Sequence, residues 1–254
     1  MSGLLREVWA VAWPDMRFMR HNAKNIVISS LMLPVLYLLA FGYGLRAGDV
    51  EVEGELIPYI DFVIPGIIAL TCLSSSFSST STRMNVQRLY YRSFDEMMMC
   101  PLRDSAIVVG KTMLGMIRGI VGASLMFAIG YCLEPSHMNL TPMLIVSVLV
   151  SCFTFSLLGE TAALLAKSHQ SMATFGSLVI TPMTFLCGTF FSVAALPGIA
   201  QGLLYALPLT EASLCIRSAT LDVYAFPWWA LLVLIGFDIT FFAIDMYLVR
   251  NRKV

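Results

Sequence analysis

The sequence predicts an all-α, polytopic membrane protein. It has six transmembrane helices with both termini inside, an N-terminal interfacial helix, and an outer re-entrant segment between spans five and six. Three observations predict this class. Of 254 residues, 58% are hydrophobic and 13% charged, with a mean hydropathy of +0.79. A soluble domain carries roughly 25% charged residues, so this much apolar surface exceeds what one water-soluble core can hide. Six apolar runs have the length a bilayer demands, about 20 residues each. Finally, Lys and Arg are divided unequally between alternate loops, although the net charge is zero.

Met1–Arg20 reads as an amphipathic helix. Leu5, Trp9, Ala12, Met16 and Met19 recur at helical spacing, with Arg6, Arg17 and Arg20 elsewhere around it. Trp9 and Trp13 suit the headgroup boundary, so residues 1–24 are expected to lie on the inner leaflet, kinked at Pro14. Docking on a soluble partner is the alternative. The segment is too charged for a cleavable signal peptide. Spans follow at Ile26–Leu45, Phe62–Ser81, Ala106–Leu133, Pro142–Ala166, Met172–Phe191 and Pro227–Val249.

With the N-terminus inside, the inner segments hold Arg6, Arg17, Arg20, Lys24, Arg83, Arg88, Arg92, Arg103, Lys111, Lys167, Arg250, Arg252 and Lys253. The outer segments hold only Arg46 and Arg217. Cytoplasmic loops carry such an excess. The first outer loop is acidic, with Asp49, Glu51, Glu53, Glu55 and Asp61. Val193–Leu207 is apolar but short, and Pro197-Gly198 breaks it. As a seventh span it would move the cationic tail outside. It is therefore read as re-entrant, because irregular backbone at membrane depth survives only under protein or beside water. Pro208–Asp222 is expected to lie over the outer surface. Residues 1–254 are expected to form one transmembrane domain, with no nucleotide-binding domain.

Few motifs carry chemistry. Gly110-Lys111-Thr112 resembles the end of a phosphate loop, but Ser105 stands where the first glycine belongs, and the tripeptide opens an apolar span. His21, His137 and His169 fall in separate segments, which argues against a metal site. No catalytic residue is assigned. The six cysteines lie mostly in apolar runs and read as packing residues; Cys132 and Cys215, both read near the outer face, are the pair that could bridge.

Ionisable groups inside spans are costly and need partners. Lys111 and Arg118 lie seven apart on the third span, and Asp238 and Asp245 seven apart on the sixth. The two spans run antiparallel and the depths match, which suggests Lys111–Asp245 and Arg118–Asp238 pairs. Glu160 on the fourth span could replace either aspartate, and snorkelling or a wet cavity is the alternative. The second span is rich in hydroxyls, from Thr71 to Ser81. Its Ser75, Ser78 and Ser79, with Thr181 and Phe185 of the fifth span, are candidates for a pathway or dimer face. Close intramolecular packing of small residues is the competing explanation.

Arg83–Asp104 is the one long polar interruption that is both basic and aromatic. Phe94, Met97 and Met98 form an apolar ridge beside Asp95 and Glu96, and Pro101 stops the helix. Such a helix suits a groove on a soluble partner, or it rests on the leaflet held by Arg88 and Arg92.

Several stretches in order resemble the ABC-2 family of ATP-binding-cassette exporter permeases, of the drug-resistance and nodulation lipo-oligosaccharide export type. These are Pro34 with Phe41-Gly42-Tyr43-Gly44, Pro65-Gly66, and Met99-Cys100-Pro101-Leu102-Arg103 followed by Gly110-Lys111. Gly188-Thr189-Phe190-Phe191-Ser192, Leu196-Pro197, and Leu207-Pro208-Leu209-Thr210 through Glu211 to Arg217 complete the set. Cys100 departs from the small residue or Thr usual before the loop proline.

The resemblance implies a prokaryotic cytoplasmic-membrane permease working as a homodimer with a separate ATP-binding-cassette ATPase, which would bind the ATP and Mg. Membrane lipid is the other expected partner, and nucleic acid is not. Arg92, Phe94, Asp95, Glu96, Met97 and Met98 would form the helix that couples to the ATPase. The expected cargo is an amphiphilic, lipid-linked or hydrophobic molecule. An ATP-independent channel or secondary carrier, using Asp238 or Glu160, is the competing class; a membrane enzyme has no constellation to support it.

Overall fold

The computed structural model describes residues 2–44, 50–52, 55–133, 138–186, 188–189, 197–221 and 225–251. Arg46, Asp49, Glu53, His137, Cys187, Val193–Leu196, Arg252 and Lys253 lie outside them, as do the side chains of Glu51 and Glu55. The described chain is helical apart from a small antiparallel hairpin, β1 (Val50–Val52) and β2 (Glu55–Ile57), with Val50 opposite Ile57.

Helix α1 (Ser2–His21) is unbroken through Pro14. It is followed by α2 (Ala23–Tyr37), which continues as a π-helical turn over Leu38–Gly44. The bundle proper comprises α3 (Tyr59–Leu89), α5 (Asp104–Leu133), α6 (Pro142–Leu165) and α11 (Trp228–Arg250), with α4 (Ser93–Met98) between α3 and α5. The run α7 (His169–Phe175), a π turn at Gly176–Ile180 and α8 (Thr181–Leu186) occupies the place of the fifth expected span. Helices α9 (Gly198–Tyr205) and α10 (Pro208–Leu221) precede α11.

Five helices are long and apolar enough to cross a membrane: Ala23–Gly42, Tyr59–Leu89, Asp104–Leu133, Pro142–Leu165 and Trp228–Arg250. The polar start of α7, His169-Gln170-Ser171, sets the α7–α8 run apart from these five.

Local sequence explains the helix starts. Thr141 caps α6, its hydroxyl accepting from the Leu144 N–H at 3.2 Å, with Pro142 in the first turn. Ser168 caps α7 in a reciprocal box with Ser171, at 3.0 and 3.1 Å.

Helix α3 is the axis of the fold, its apolar half from Phe62 to Leu73 buried all round. Its hydroxyl-rich half packs against a glycine seam on α5. A Cβ at Gly119 would collide with the Ser76 hydroxyl, and one at Gly122 would lie 3.1 Å from Ser75 Oγ. Small residues let these helices approach closely where apolar association alone gives little in lipid. A Cβ at Gly115 would stand 2.5 Å from Ser156 Oγ and 2.6 Å from the Ser76 carbonyl oxygen. Gly115→Ala is therefore expected to cost about 1–3 kcal/mol, read as a lower thermal midpoint in detergent. An unchanged midpoint would refute so close a seam.

Three expectations are corrected here. Helix α3 runs eight residues past Ser81 to Leu89, so about a third of the expected polar loop belongs to that helix. Pro208–Leu221 does not lie over the surface. It forms α10, buried at every position but Leu214, against α3, α6 and α11. The Thr141 hydroxyl donates to the Ala219 carbonyl at 2.7 Å, and the Asn139 N–H to the Thr220 carbonyl at 2.9 Å. Arg217, expected outside, is buried with its guanidinium 3.8 Å from the Phe62 ring centroid, donating to the Gly188 carbonyl at 3.0 Å. Asp61, assigned to the acidic outer loop, is buried in the first turn of α3.

Candidate functional site

The end of the bundle where α3 hands over to α5 carries the densest polar chemistry. After Tyr90 and Tyr91 the chain turns at Arg92, whose φ of 55° is the one left-handed non-glycine among the described residues. That turn feeds α4. Phe94 points inward and is fully buried among Met84, Ile107, Val108, Leu157, Leu164 and Val249, with Met97 and Met98 partly buried beside it. Asp95 and Glu96 face out, and Met99 is 87% exposed. The expected ridge is thus divided. Phe94 anchors α4 to the bundle, and the outward surface consists of Tyr91, Arg92, Asp95, Glu96 and Met99.

Arg88 does not rest on lipid. It is buried in the last turn of α3 and reaches the C-terminal end of α6, donating to the carbonyls of Ala163, Leu164 and Ala166, the second at 2.7 Å. Those carbonyls end a helix and lack intrahelical partners, so the cation both bonds them and meets the negative end of the helix dipole.

Helix α1 is clamped across this junction. Val8, Val11, Ala12 and Asp15 form one buried stripe against α5, while Leu5, Trp9 and Trp13 are exposed. Ala12 therefore sits on the protein-facing stripe, and the outward apolar face is Leu5–Trp9–Trp13. A Cβ at Gly110 would come 2.7 Å from Val11, so only glycine allows the approach. Asp15 Oδ2 accepts from Lys111 Nζ at 2.9 Å. Its Oδ1 accepts from Arg83 Nε at 2.9 Å and from Gln87 Nε2 at 2.8 Å. Lys111 Nζ also donates to Gln87 Oε1 at 2.7 Å. At the rim, the Arg103 N–H donates to Glu7 Oε2 at 3.1 Å. Burial alone would raise the Asp15 pKa. The Lys111 charge, with the hydrogen bonds from Arg83 and Lys111, outweighs it and holds the carboxyl below its ordinary value.

This network corrects both expected ion pairs. Lys111 takes Asp15 and Gln87 instead of Asp245, and Arg118 donates to Ser30 Oγ at 3.0 Å and Ser29 Oγ at 2.9 Å instead of to Asp238. Matching depth on two helices fixes a level but not a direction around the axis, and α1 and α2 stand on the side that Lys111 and Arg118 face. Asp245 instead accepts from the Thr161 hydroxyl at 2.7 Å, with Glu160, itself fully buried, close by. Asp238 Oδ1 is buried on α11 with no hydrogen bond among the described residues.

The candidates for a pathway or dimer face separate. Ser75 and Ser79 are buried in α3, and Ser79 bonds back to the Ser75 carbonyl. Ser78 is exposed, as are Thr181 and Phe185, the Phe185 ring edge-on to Tyr37 of α2 at 6.3 Å. Cys132 is exposed and Cys215 buried, and both are free thiols. Among the described residues no group of His, Cys, Asp and Glu is placed to hold a metal ion.

Sequence reasoning missed Asp15, Gln87 and Glu7. The signal for Asp15 was present: it is the lone acid continuing the Val8, Val11, Ala12 stripe.

The sequence signature of the ABC-2 type transporter family matches residues 6–221. The chain is 26% identical over 256 residues to the inner membrane transport permease YadH of Escherichia coli K12, covering 98% of this chain and 95% of that one. It is 28% identical over 200 residues to nodulation protein J of Sinorhizobium fredii, covering 77% and 74%. It is also 28% identical over 227 residues to nodulation protein J of Bradyrhizobium diazoefficiens, covering 84% and 81%. The match takes in the α1 bracket, the glycine seam, the α4 turn and the buried α10 alike. The chain belongs to the ABC-2 type transporter family, as a multi-pass transport component of the cytoplasmic membrane.

Proposed function

We propose that the chain is the permease subunit of an ATP-driven exporter that moves an amphiphilic, lipid-linked or hydrophobic substrate across the cytoplasmic membrane. Two copies pair, and each engages a separate ATP-binding-cassette subunit that binds ATP and Mg. The five long helices and the α7–α8 run make six spans with both termini in the cytoplasm. The open flank of α2 and α8, with Met32, Leu36, Thr181 and Phe185 exposed, supports placing the second copy and the transport path there.

The observation that carries this reading is the construction of α4. Its outer face presents Asp95, Glu96 and Met99, and its inner face is fixed by Phe94 at 0% exposure. Force applied to α4 passes through Phe94 into the cluster joining α3, α5, α6 and α11. Close-packed interiors transmit displacement because they compress little. Motion of the ATPase pair would in this way tilt the bundle between inward- and outward-open states. An ATP-independent carrier needs a titratable group open to water; Glu160 is wholly enclosed, Asp238 is half-buried with its Oδ1 buried, and no specific observation favours that reading.

Asp95→Lys combined with Glu96→Lys tests it. The ATPase is expected to stop co-purifying, and vanadate-sensitive ATP hydrolysis to be lost, with membrane insertion and thermal midpoint unchanged. Coupled hydrolysis that survives the double reversal would count against α4 as the contact. Phe94→Asp cannot serve, because it would bury a carboxylate in an apolar cluster and unfold the junction.

A further inference from the structure

We propose that the cleft between the α1–α2 elbow, α3 and α5 binds the net-negative phosphate headgroup of a phospholipid from the leaflet on the α4 side, the cytoplasmic leaflet in the orientation proposed above. The cleft encloses about 710 Å³, within the size of ordinary ligand pockets. Its polar lining is Asn22, Asn25, Ser29, Ser78, Arg83 and Arg118 with neighbouring hydroxyls, and among the described residues no aspartate or glutamate lines it.

The charges in this cleft are unequal to those around it. Arg83 is held by Asp15 and stacks on Phe18 at 4.3 Å. Arg118 lies seven residues beyond Lys111, about 10 Å deeper at 1.5 Å per residue. Its hydrogen bonds go to two neutral hydroxyls, Ser29 and Ser30, and no carboxylate among the described residues comes within ion-pair distance of it. A guanidinium at membrane depth with no counter-ion is costly unless an anion or water reaches it. The cleft runs from Phe18, Asn22 and Tyr91 at the bundle end down to Arg118. A headgroup entering from the interface therefore meets amides and hydroxyls first and the uncompensated cation last. Guanidinium binds phosphate in a forked geometry, and basic pockets between spans on this side suit anionic headgroups. Apolar Ile26 of α2 and Leu114 of α5 also line the cleft, where acyl chains would pack.

The proposal does not rest on the exporter reading, because binding is read on the permease chain alone. The full chain, purified in mild detergent and delipidated, is titrated with phosphatidylglycerol, phosphatidylcholine or inorganic phosphate, followed by native mass spectrometry and thermal midpoint. Phosphatidylglycerol is expected to remain bound and to raise the midpoint at a concentration about tenfold below phosphatidylcholine, the difference one charge-assisted contact supplies. Arg118→Gln should remove that preference. Ser78→Asp, which supplies an internal carboxylate from an exposed position in the cleft and keeps Arg118 in place, should remove it as well, and it carries the test if Arg118→Gln fails to fold. Equal binding of the two lipids, or a preference unchanged in a folded variant, overturns the proposal. Saturation by inorganic phosphate as tight as by phosphatidylglycerol overturns the lipid assignment.

Discussion

Arg88→Met is expected to leave little folded protein after detergent extraction. The side chain is 8% exposed and donates to three carbonyls at the end of α6. Methionine fills similar volume but supplies no donor, so three buried oxygens at the negative pole of a helix lose their partner together. Each unsatisfied carbonyl costs about 1–3 kcal/mol. These contacts are shared and their costs do not add fully, so a loss of about 3–5 kcal/mol is expected, comparable to breaking a buried ion pair. Total stability is typically about 5–15 kcal/mol, so the change takes a large share of it. Arg88→Lys keeps the charge but cannot fork across three oxygens, and should fall between. Arg103→Met is the control. Its guanidinium is largely exposed and stands 3.9 Å from Glu7, a surface pair worth about 0–1 kcal/mol. Thermal midpoints of the three variants by fluorescence-detected gel filtration decide the matter. Equal midpoints for Arg88→Met and Arg103→Met would show that the cap contributes nothing.

Arg88 also shows where the sequence was legible and where it was not. Hydropathy length placed α2, α5, α6 and α11 within a few residues, because a bilayer imposes the same requirement on every span. The end of α3 was not legible by that rule. Past Ser81 the helix leaves the apolar zone and is held by side chains on other helices: Met84 in the α4 cluster, Gln87 on Asp15, and Arg88 on α6. Helix α10 was hidden for the opposite reason. Pro208–Leu221 carries Glu211 and Arg217 and is too short to span, yet it is buried on all sides, so no amphipathic period marks it. At α4 the spacing of Phe94, Met97 and Met98 correctly marked an apolar face. Only the packed structure shows that this face is spent on the chain's own core, leaving Asp95, Glu96 and Met99 for any partner. The polar partners were illegible because Lys111 pairs with Asp15 of α1 and Arg118 meets only the Ser29 and Ser30 hydroxyls of α2, about ninety residues earlier in the chain.

Lys111→Met is expected to lose about 3–5 kcal/mol, because it leaves Asp15 at 2% side-chain exposure without its ammonium partner. Asp15→Leu should cost a similar amount, stranding Lys111 and freeing Arg83. Lys111→Met combined with Asp15→Leu should recover part of the loss. Replacing both members of a buried pair by apolar groups of similar shape is often near neutral, whereas removing one is not. Strict additivity of the two single changes in this cycle would show that the charges do not act on each other.

The bracket also has a pH signature. Asp15 has a folded pKa below its ordinary value of about 3.9. Its stabilisation is therefore fully present above that value and is lost as pH falls through the lower, folded value. The wild-type midpoint should drop more steeply below about pH 4 than that of the double variant, which has no carboxyl at this position to protonate. Loss of the bracket frees α1 from α5 where Val11 closes on Gly110. If α4 couples to an ATPase as proposed, transport should then fail even where ATPase binding survives, since the α3–α5 junction beneath α4 would no longer be held by α1.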